Sequence, residues 1–236
     1  MTRQPSGRRA RRASLSDPAA LRPEGGVVSA ITPLRRGRYR VEIEGEPALT
    51  LTAETLAASG LQVGGPISAD QLRNLAAEDA RRQALDAALR LLGHRPRAEQ
   101  ELRERLTRRG FPAEVVAATL ARLRDYGYVD DAAFARAWVE SRTGAAARGR
   151  RLLLHELRAK GVDPEIAART LAEVPDELEV ARALAEKKAR TLRGLDAPTF
   201  RRRLGTYLHR RGFTTEVITS VVRQLVRREG GDDGQP

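Results

Sequence analysis

The only adjacent carboxylate pair that invites a catalytic reading is Asp130-Asp131. Two carboxylates can share general acid–base work, but only when both face one reacting atom. Neighbouring residues on a helix point in different directions. The pair therefore reads first as the N-cap of a helix that starts there. The histidines His94, His155 and His209 are far apart and in no metal-ligand spacing. With no cysteine in the chain, thiolate metal sites, cysteine nucleophiles and disulfides are excluded. A Walker-type phosphate loop and a nucleophile elbow are also missing. These observations predict a protein that is not an enzyme and that uses no metal and no cofactor.

The remaining chemistry is charge. The formal net charge is +12, and all but three of the 43 basic residues are arginine, the lysines being Lys160, Lys187 and Lys188. Such a chain attracts polyanions or acidic protein surfaces. Forked guanidinium groups suit phosphate and carboxylate alike. Codon bias in a GC-rich genome explains arginine over lysine equally well, but not the excess of bases over acids. The basic residues cluster as Arg108-Arg109, Arg148-Gly149-Arg150-Arg151, Arg201-Arg202-Arg203 and Arg210-Arg211. Each cluster alone reads equally well as a solvated helix face. Recurring at equivalent places in stacked modules, they would form an extended surface that binds phosphates without reading sequence. The candidate contacts are Arg108, Arg109, Arg148, Arg150, Arg151, Lys160, Arg202, Arg203, Arg210 and Arg211.

The elements that must position these residues differ along the chain. Residues 1–24 hold six arginines against Asp17 and Glu24 and almost nothing apolar, which predicts a disordered basic tail. Residues 25–66 form a β-rich extension. Tyr39, Val41 and Ile43 alternate with charged residues as in a half-buried strand, and Glu44 to Pro47 reads as a turn. Two or three strands are expected there, with Thr52 capping a short helix that stops before Gly60. Ser68 and Gln71 have capping-box spacing, and no proline or glycine interrupts the chain from Ala69 to Leu92.

A repeat governs the rest. Gly110, Gly161 and Gly212 are spaced 51 residues apart. Leu102, Leu153 and Leu204 precede them by one fixed interval, and Leu106, Leu157 and Leu208 by another. A basic residue stands just before each glycine (Arg109, Lys160, Arg211), and Phe111, Val162 and Phe213 stand just after. The leucines are the buried stripe of a helix. The base faces that helix's negative end, and the glycine supplies the left-handed turn that ends it. Asp163 and Thr214 are suited to cap the following helix, with Pro164 in its first turn. Each unit also has a preceding helix, near 69–92, 130–142 and 177–193. The expected fold is mainly α: a tandem array of three three-helix modules (67–126, 127–175 and 176–229) preceded by a small β-hairpin-like N-terminal extension, with a tail at 230–236. A unit this small buries little alone, so neighbours should stack. The surfaces differ: the second module has eight basic residues against seven acidic, and the third has thirteen against seven.

Aromatic residues concentrate at Tyr126, Tyr128, Phe134 and Trp138, around the Asp130-Asp131 pair. This segment reads as a module joint with Tyr128, Phe134 and Trp138 in its core, leaving Tyr126 for a partner. The stretch Tyr128-Val129-Asp130-Asp131-Ala132-Ala133-Phe134-Ala135 resembles the RecX family, the bacterial regulators of the recombinase RecA. So does the repeated unit Glu156-Leu157-Arg158-Ala159-Lys160-Gly161-Val162. The opening helix Ala84 to Leu92, followed by Arg97 to Leu106, is similar as well. The resemblance covers about residues 69–228. The β-like segment 27–51 is similar to an extension many members carry, whereas the tail 1–24 is outside the family pattern.

The resemblance implies a curved array that lies in the groove of the RecA–single-stranded DNA–ATP filament. It implies inhibition of RecA's ATP hydrolysis, strand exchange and co-protease activity. Asp130 and Asp131 match the family's most recognisable motif, and either cap a helix or touch the partner. The partners expected are the RecA filament and, through the basic surface, single-stranded and duplex DNA. A stand-alone DNA-binding protein of helix-turn-helix or architectural type is the alternative. No apolar run approaches a membrane span and the Arg-rich N-terminus lacks an apolar signal core, so a cytoplasmic protein is expected. It is expected to be a monomer.

Overall fold

The computed structural model describes residues 25–231 apart from 143 and 175. The expected basic tail 1–24 and residues 232–236 lie outside the described residues. Strands β1 (Gly26–Leu34), β2 (Arg38–Ile43) and β3 (Glu46–Thr52) form an antiparallel meander, and β4 (Pro66–Ile67) pairs with the free edge of β1. The turns at Arg36-Gly37 and Glu44-Gly45 have positive φ at both residues, the twist that tight hairpins require. Two or three strands were expected and the sheet has four, because the two residues of β4 are too few to carry a period. Pro47, expected in the turn, lies in edge strand β3, where a missing N–H is tolerated.

This sheet is tied to the first long helix. Helix α1 (Ala53–Ser59) is capped by Thr52 and ends at Gly60, whose φ is 65°. Ser68 and Gln71 close a reciprocal capping box at the start of α2 (Ala69–His94), with bonds of 2.7 and 3.2 Å. Val28, Val41, Ile43, Leu49, Leu51 and Leu72 share one fully buried cluster, so α2 closes the sheet's inner face. The fully buried Asp79 of α2 accepts from the Thr52 amide at 2.7 Å and hydroxyl at 2.9 Å, fixing where the sheet ends.

Eight more helices follow: α3 (Glu99–Arg108), α4 (Ala113–Asp125), α5 (Asp131–Glu140), α6 (Arg150–Ala159), α7 (Pro164–Ala172), α8 (Glu177–Arg190), α9 (Ala197–Arg210) and α10 (Thr215–Gly231). Helices α2–α4, α5–α7 and α8–α10 are the three modules. The last helix runs into the stretch expected as a tail. Two compact units are distinguished. One holds residues through Leu91 with Leu106–Ala121, the other Leu92–Arg105 with the chain from Arg122 onward. In the first, Ala80, Ala84 and Val115 form a small core against Phe111. The second includes the cores of modules 2 and 3. Phe134, Leu153, Leu157, Val162 and Leu171 build that of module 2, and Phe200, Leu204, Leu208, Phe213 and Val221 that of module 3.

All three glycines end their helices in the same way. The N–H groups of Phe111, Val162 and Phe213 donate to the carbonyls of Leu106, Leu157 and Leu208 at 3.4, 3.0 and 3.3 Å. The glycine N–H groups donate to Thr107, Arg158 and His209 at 2.9, 2.8 and 2.9 Å. This Schellman pair satisfies carbonyls that the helix leaves open. The glycine φ angles are 90°, 82° and 85°.

Two of the glycines have a second duty. A Cβ on Gly110 would meet nothing within 4 Å. On Gly161 it would lie 2.5 Å from Gln100 Cβ, and on Gly212 it would lie 2.2 Å from Leu152 Cβ and 2.8 Å from the Leu152 amide. The glycine turn of each later module thus seats against the first turn of the preceding module's middle helix. Gly110 has no preceding module to meet. We expect Gly110→Ala to lose about 1–2 kcal/mol, the strain of a left-handed alanine. Gly212→Ala should lose a further ~1–3 kcal/mol from overpacking against Leu152. Urea or thermal unfolding followed by circular dichroism measures both, and equal losses would count against the seating.

Candidate functional site

Asp130 and Asp131 serve two different helices. Asp130 is the N-cap of α5, its side chain accepting from the Ala133 amide at 2.9 Å. Asp131 reaches back to module 1 and accepts from the backbone N–H of Glu99, the first residue of α3, at 2.8 Å. The next joint repeats the arrangement. Asp176 caps α8, and Glu177 accepts from the N–H of Arg150, the first residue of α6, at 2.9 Å. Glu99 and Arg150 are 51 residues apart, in the register of the glycines. Helix α6 needs this help, since its own N-cap is Gly149, which has no side chain to offer. Gly149 is itself confined, its N–H donating to the Arg211 carbonyl at 2.8 Å. Helix α9 differs. It starts at Ala197, one turn before the equivalent Arg201, and is capped by Asp196 of its own module at 2.9 Å.

Carboxylates crowd the first joint, and arginines answer them. Glu99 bonds Arg103 at 2.7 Å and Arg124 at 2.6 Å. Glu101 bonds Arg95 at 2.7 Å and Arg105 at 3.0 Å, and contacts the buried Arg97. Burial opposes ionisation of both glutamates, but their arginine partners outweigh it and hold both pKa values below the ordinary range. Asp131 is pushed the other way, first by burial and also by the charges of Glu99, Asp130 and Asp163, against the pull of the Glu99 N–H.

Trp138 anchors a second network inside module 2. Its ring stacks on Phe134 with centroids 5.9 Å apart, and the Arg142 guanidinium lies 3.5 Å and the Lys160 ammonium 4.9 Å from its centroid. The indole N–H donates to Glu156 at 2.9 Å. Glu156 also takes Arg142 at 3.1 Å and is in contact with Arg148. Cations over an indole face are held by the ring quadrupole as well as by their counter-ion.

These contacts divide the candidate bases. Arg148 and Lys160 are half-buried in the Trp138 network. Arg150 reaches the Val174 carbonyl at 3.4 Å, and Arg211 packs on the Tyr207 ring and bonds the Ala147 carbonyl at 3.2 Å. Arg108, Arg109, Arg151, Arg202, Arg203 and Arg210 are exposed, Arg151 with a 3.4 Å bond to the His209 carbonyl. Tyr128, expected in the core, is 59% exposed, and Tyr126 beneath Arg122 is 61% exposed. The left-handed Gly127 ends α4 so that Val129, not Tyr128, turns inward. Phe134 is buried and Trp138 partly buried, as their spacing of four implied. The sequence reading missed Glu99, Glu101, Glu156 and Glu177. Alternation of Arg and Glu from Arg95 to Arg105 and the Asp-acid pair at Asp176-Glu177 were the available signals.

Among the described residues no cluster of three or more histidines and carboxylates is placed to hold a metal ion, and no helix is long and apolar enough to cross a membrane. Three tandem helical modules joined by trans-capping carboxylates define a helical-repeat protein. Family models of the first, second and third three-helix domains of RecX match residues 84–123, 130–171 and 175–222. Regulatory protein RecX of Streptomyces coelicolor is 40% identical over 152 residues, 64% of this chain and 81% of that protein. That of Geobacillus kaustophilus is 36% identical over 186 residues, 77% of this chain and 69% of that protein. A crystal structure of regulatory protein RecX matches with a TM-score of 0.60 at 25% identity, covering 83% of this chain and 98% of that one. The chain belongs to the RecX family of regulatory proteins.

The joint has a pH signature. The stabilisation from Glu99 and Glu101 is complete above the unfolded glutamate value of about 4.3 and is lost as pH falls through their lower folded values. Asp131 acts oppositely: its share is complete below the unfolded value of about 3.9 and lost as pH rises through its raised folded value. Asp131→Asn keeps an oxygen acceptor for the Glu99 amide and removes the titration. Its urea midpoint should therefore climb more steeply than that of the unsubstituted protein between about pH 3 and 6. Asp131→Ala loses the cap itself, and should be less stable by about 1 kcal/mol. Identical slopes for the Asp131→Asn variant and the unsubstituted protein would remove Asp131 from this account.

Proposed function

We propose that this protein restrains RecA by binding in the groove of the RecA–single-stranded DNA filament, suppressing ATP hydrolysis, strand exchange and co-protease activity. It acts in the cytoplasm as a monomer. Membership of the RecX family supports the reading. The observation that carries it is the division among the basic residues: Arg148, Arg150, Lys160 and Arg211 hold the modules from inside, while Arg108, Arg109, Arg151, Arg202, Arg203 and Arg210 stay at the surface. Surface guanidinium groups suit both components of the filament, an acidic protein face and exposed phosphates. Modules 2 and 3, held together at Glu177 and Gly212, lose little freedom when several contacts form together, which favours binding across neighbouring subunits. Tyr126 and Tyr128 add exposed aromatic area of the kind that anchors interfaces. The bound partner does the chemistry, and the regulator contributes position and charge.

Sub-stoichiometric protein should lower single-stranded-DNA-dependent ATP hydrolysis by RecA. Combining Arg202→Glu, Arg203→Glu and Arg210→Glu should raise the half-inhibiting concentration at least about tenfold, since reversed charges in an interface slow encounter and repel the partner. Hydrolysis that stays unchanged over a range of protein and salt concentrations, with tight duplex binding by the protein alone, would assign it to stand-alone DNA binding instead.

A further inference from the structure

Gly205 stands in the middle of α9, where glycine weakens a helix, and the fold supplies no need for it. A Cβ there would meet only Ile218 Cγ2, at an ordinary 3.7 Å. In the 51-residue register module 2 has Leu154 at this place, packed against its own core, and module 1 has Arg103. The missing side chain opens a groove of about 550 Å³ between α9 and α10. Ile218, Val222 and Val226 form its half-buried floor along one face of α10. Around them stand Arg201, Arg223 and Arg227, all exposed and none bonded or ion-paired to a described residue. No carboxylate among the described residues lines the groove.

We propose that this groove receives an acidic amphipathic helix of a partner protein. Its apolar side chains lie on the Ile218–Val226 floor and its carboxylates on the three arginines. A helix laid in a groove by anchors at i, i+3, i+4 and i+7 is an established mode of recognition. A nucleic-acid strand would satisfy the arginines through phosphates, but no aromatic side chain lines the groove for a base to stack on, and the aliphatic floor would gain no apolar partner. The inference is independent of the RecA reading, because it concerns a groove between α9 and α10 and can be tested without RecA.

The full-length protein is titrated into a fluorescently labelled peptide of about five helical turns, with leucines on one face and glutamates on the other. Anisotropy should report saturable binding, and a peptide with lysine in place of glutamate should not bind. Arg223→Glu should weaken binding at least about tenfold. Gly205→Leu should fill the floor and abolish binding while the thermal midpoint holds or rises, because leucine favours the helix over glycine. Should the leucine variant unfold, Arg201→Glu and Arg223→Glu, both at exposed positions, decide the matter alone. Undiminished affinity in these variants overturns the proposal. So does equal binding of the lysine peptide, or competition by a single-stranded DNA oligonucleotide that suffers the same losses in every variant.

Discussion

A carboxylate oxygen of one module, 2.8 or 2.9 Å from a backbone N–H of the module before it, is the contact on which the array depends. A helix start leaves N–H groups without partners, and a buried one without an acceptor is costly. Helices α3 and α6 are each completed by the next module's first helical residue, Asp131 or Glu177. The glycine turns then come close enough to seat, because Gly161 and Gly212 lack the carbon that would collide with Gln100 and Leu152. Capping and seating need the same geometry, so either one specifies the register for the other.

Much of this was legible in the sequence, and the boundary of legibility has a physical cause. Gly110, Gly161 and Gly212, the leucine stripes and the caps at Thr52, Ser68 and Asp163 are local signals, set by a residue and its neighbours within one turn. The short strand β4 was hidden because two residues have no period. The place of Tyr128 was misjudged because the left-handed Gly127 decides which neighbour turns inward. Asp131 was read as a helix cap or a partner contact. It is a cap, but for a helix that begins 32 residues earlier in the chain. No local pattern reports such a contact; only the matching register of Glu99 and Arg150, with an Asp-acid pair opening α5 and α8, hints at it.

The basic residues teach a related lesson. Counting arginines predicted a charged surface, yet the second module spends Arg142, Arg148 and Lys160 around Trp138 and Glu156. Charge that holds a fold together is not available to a partner. The surface that remains is set by which bases found a carboxylate or ring inside the module, a matter of tertiary contact.

The start of α9 has a further meaning. Its first turn, with Asp196 as cap, occupies the place where α3 and α6 wait for a carboxylate from a successor. A helix that supplies its own cap does not depend on a carboxylate from another module. The middle helix of the third module is thus completed by the few residues from Asp196 to Thr199, and cutting the trans-cap at Glu177 would leave that helix start intact.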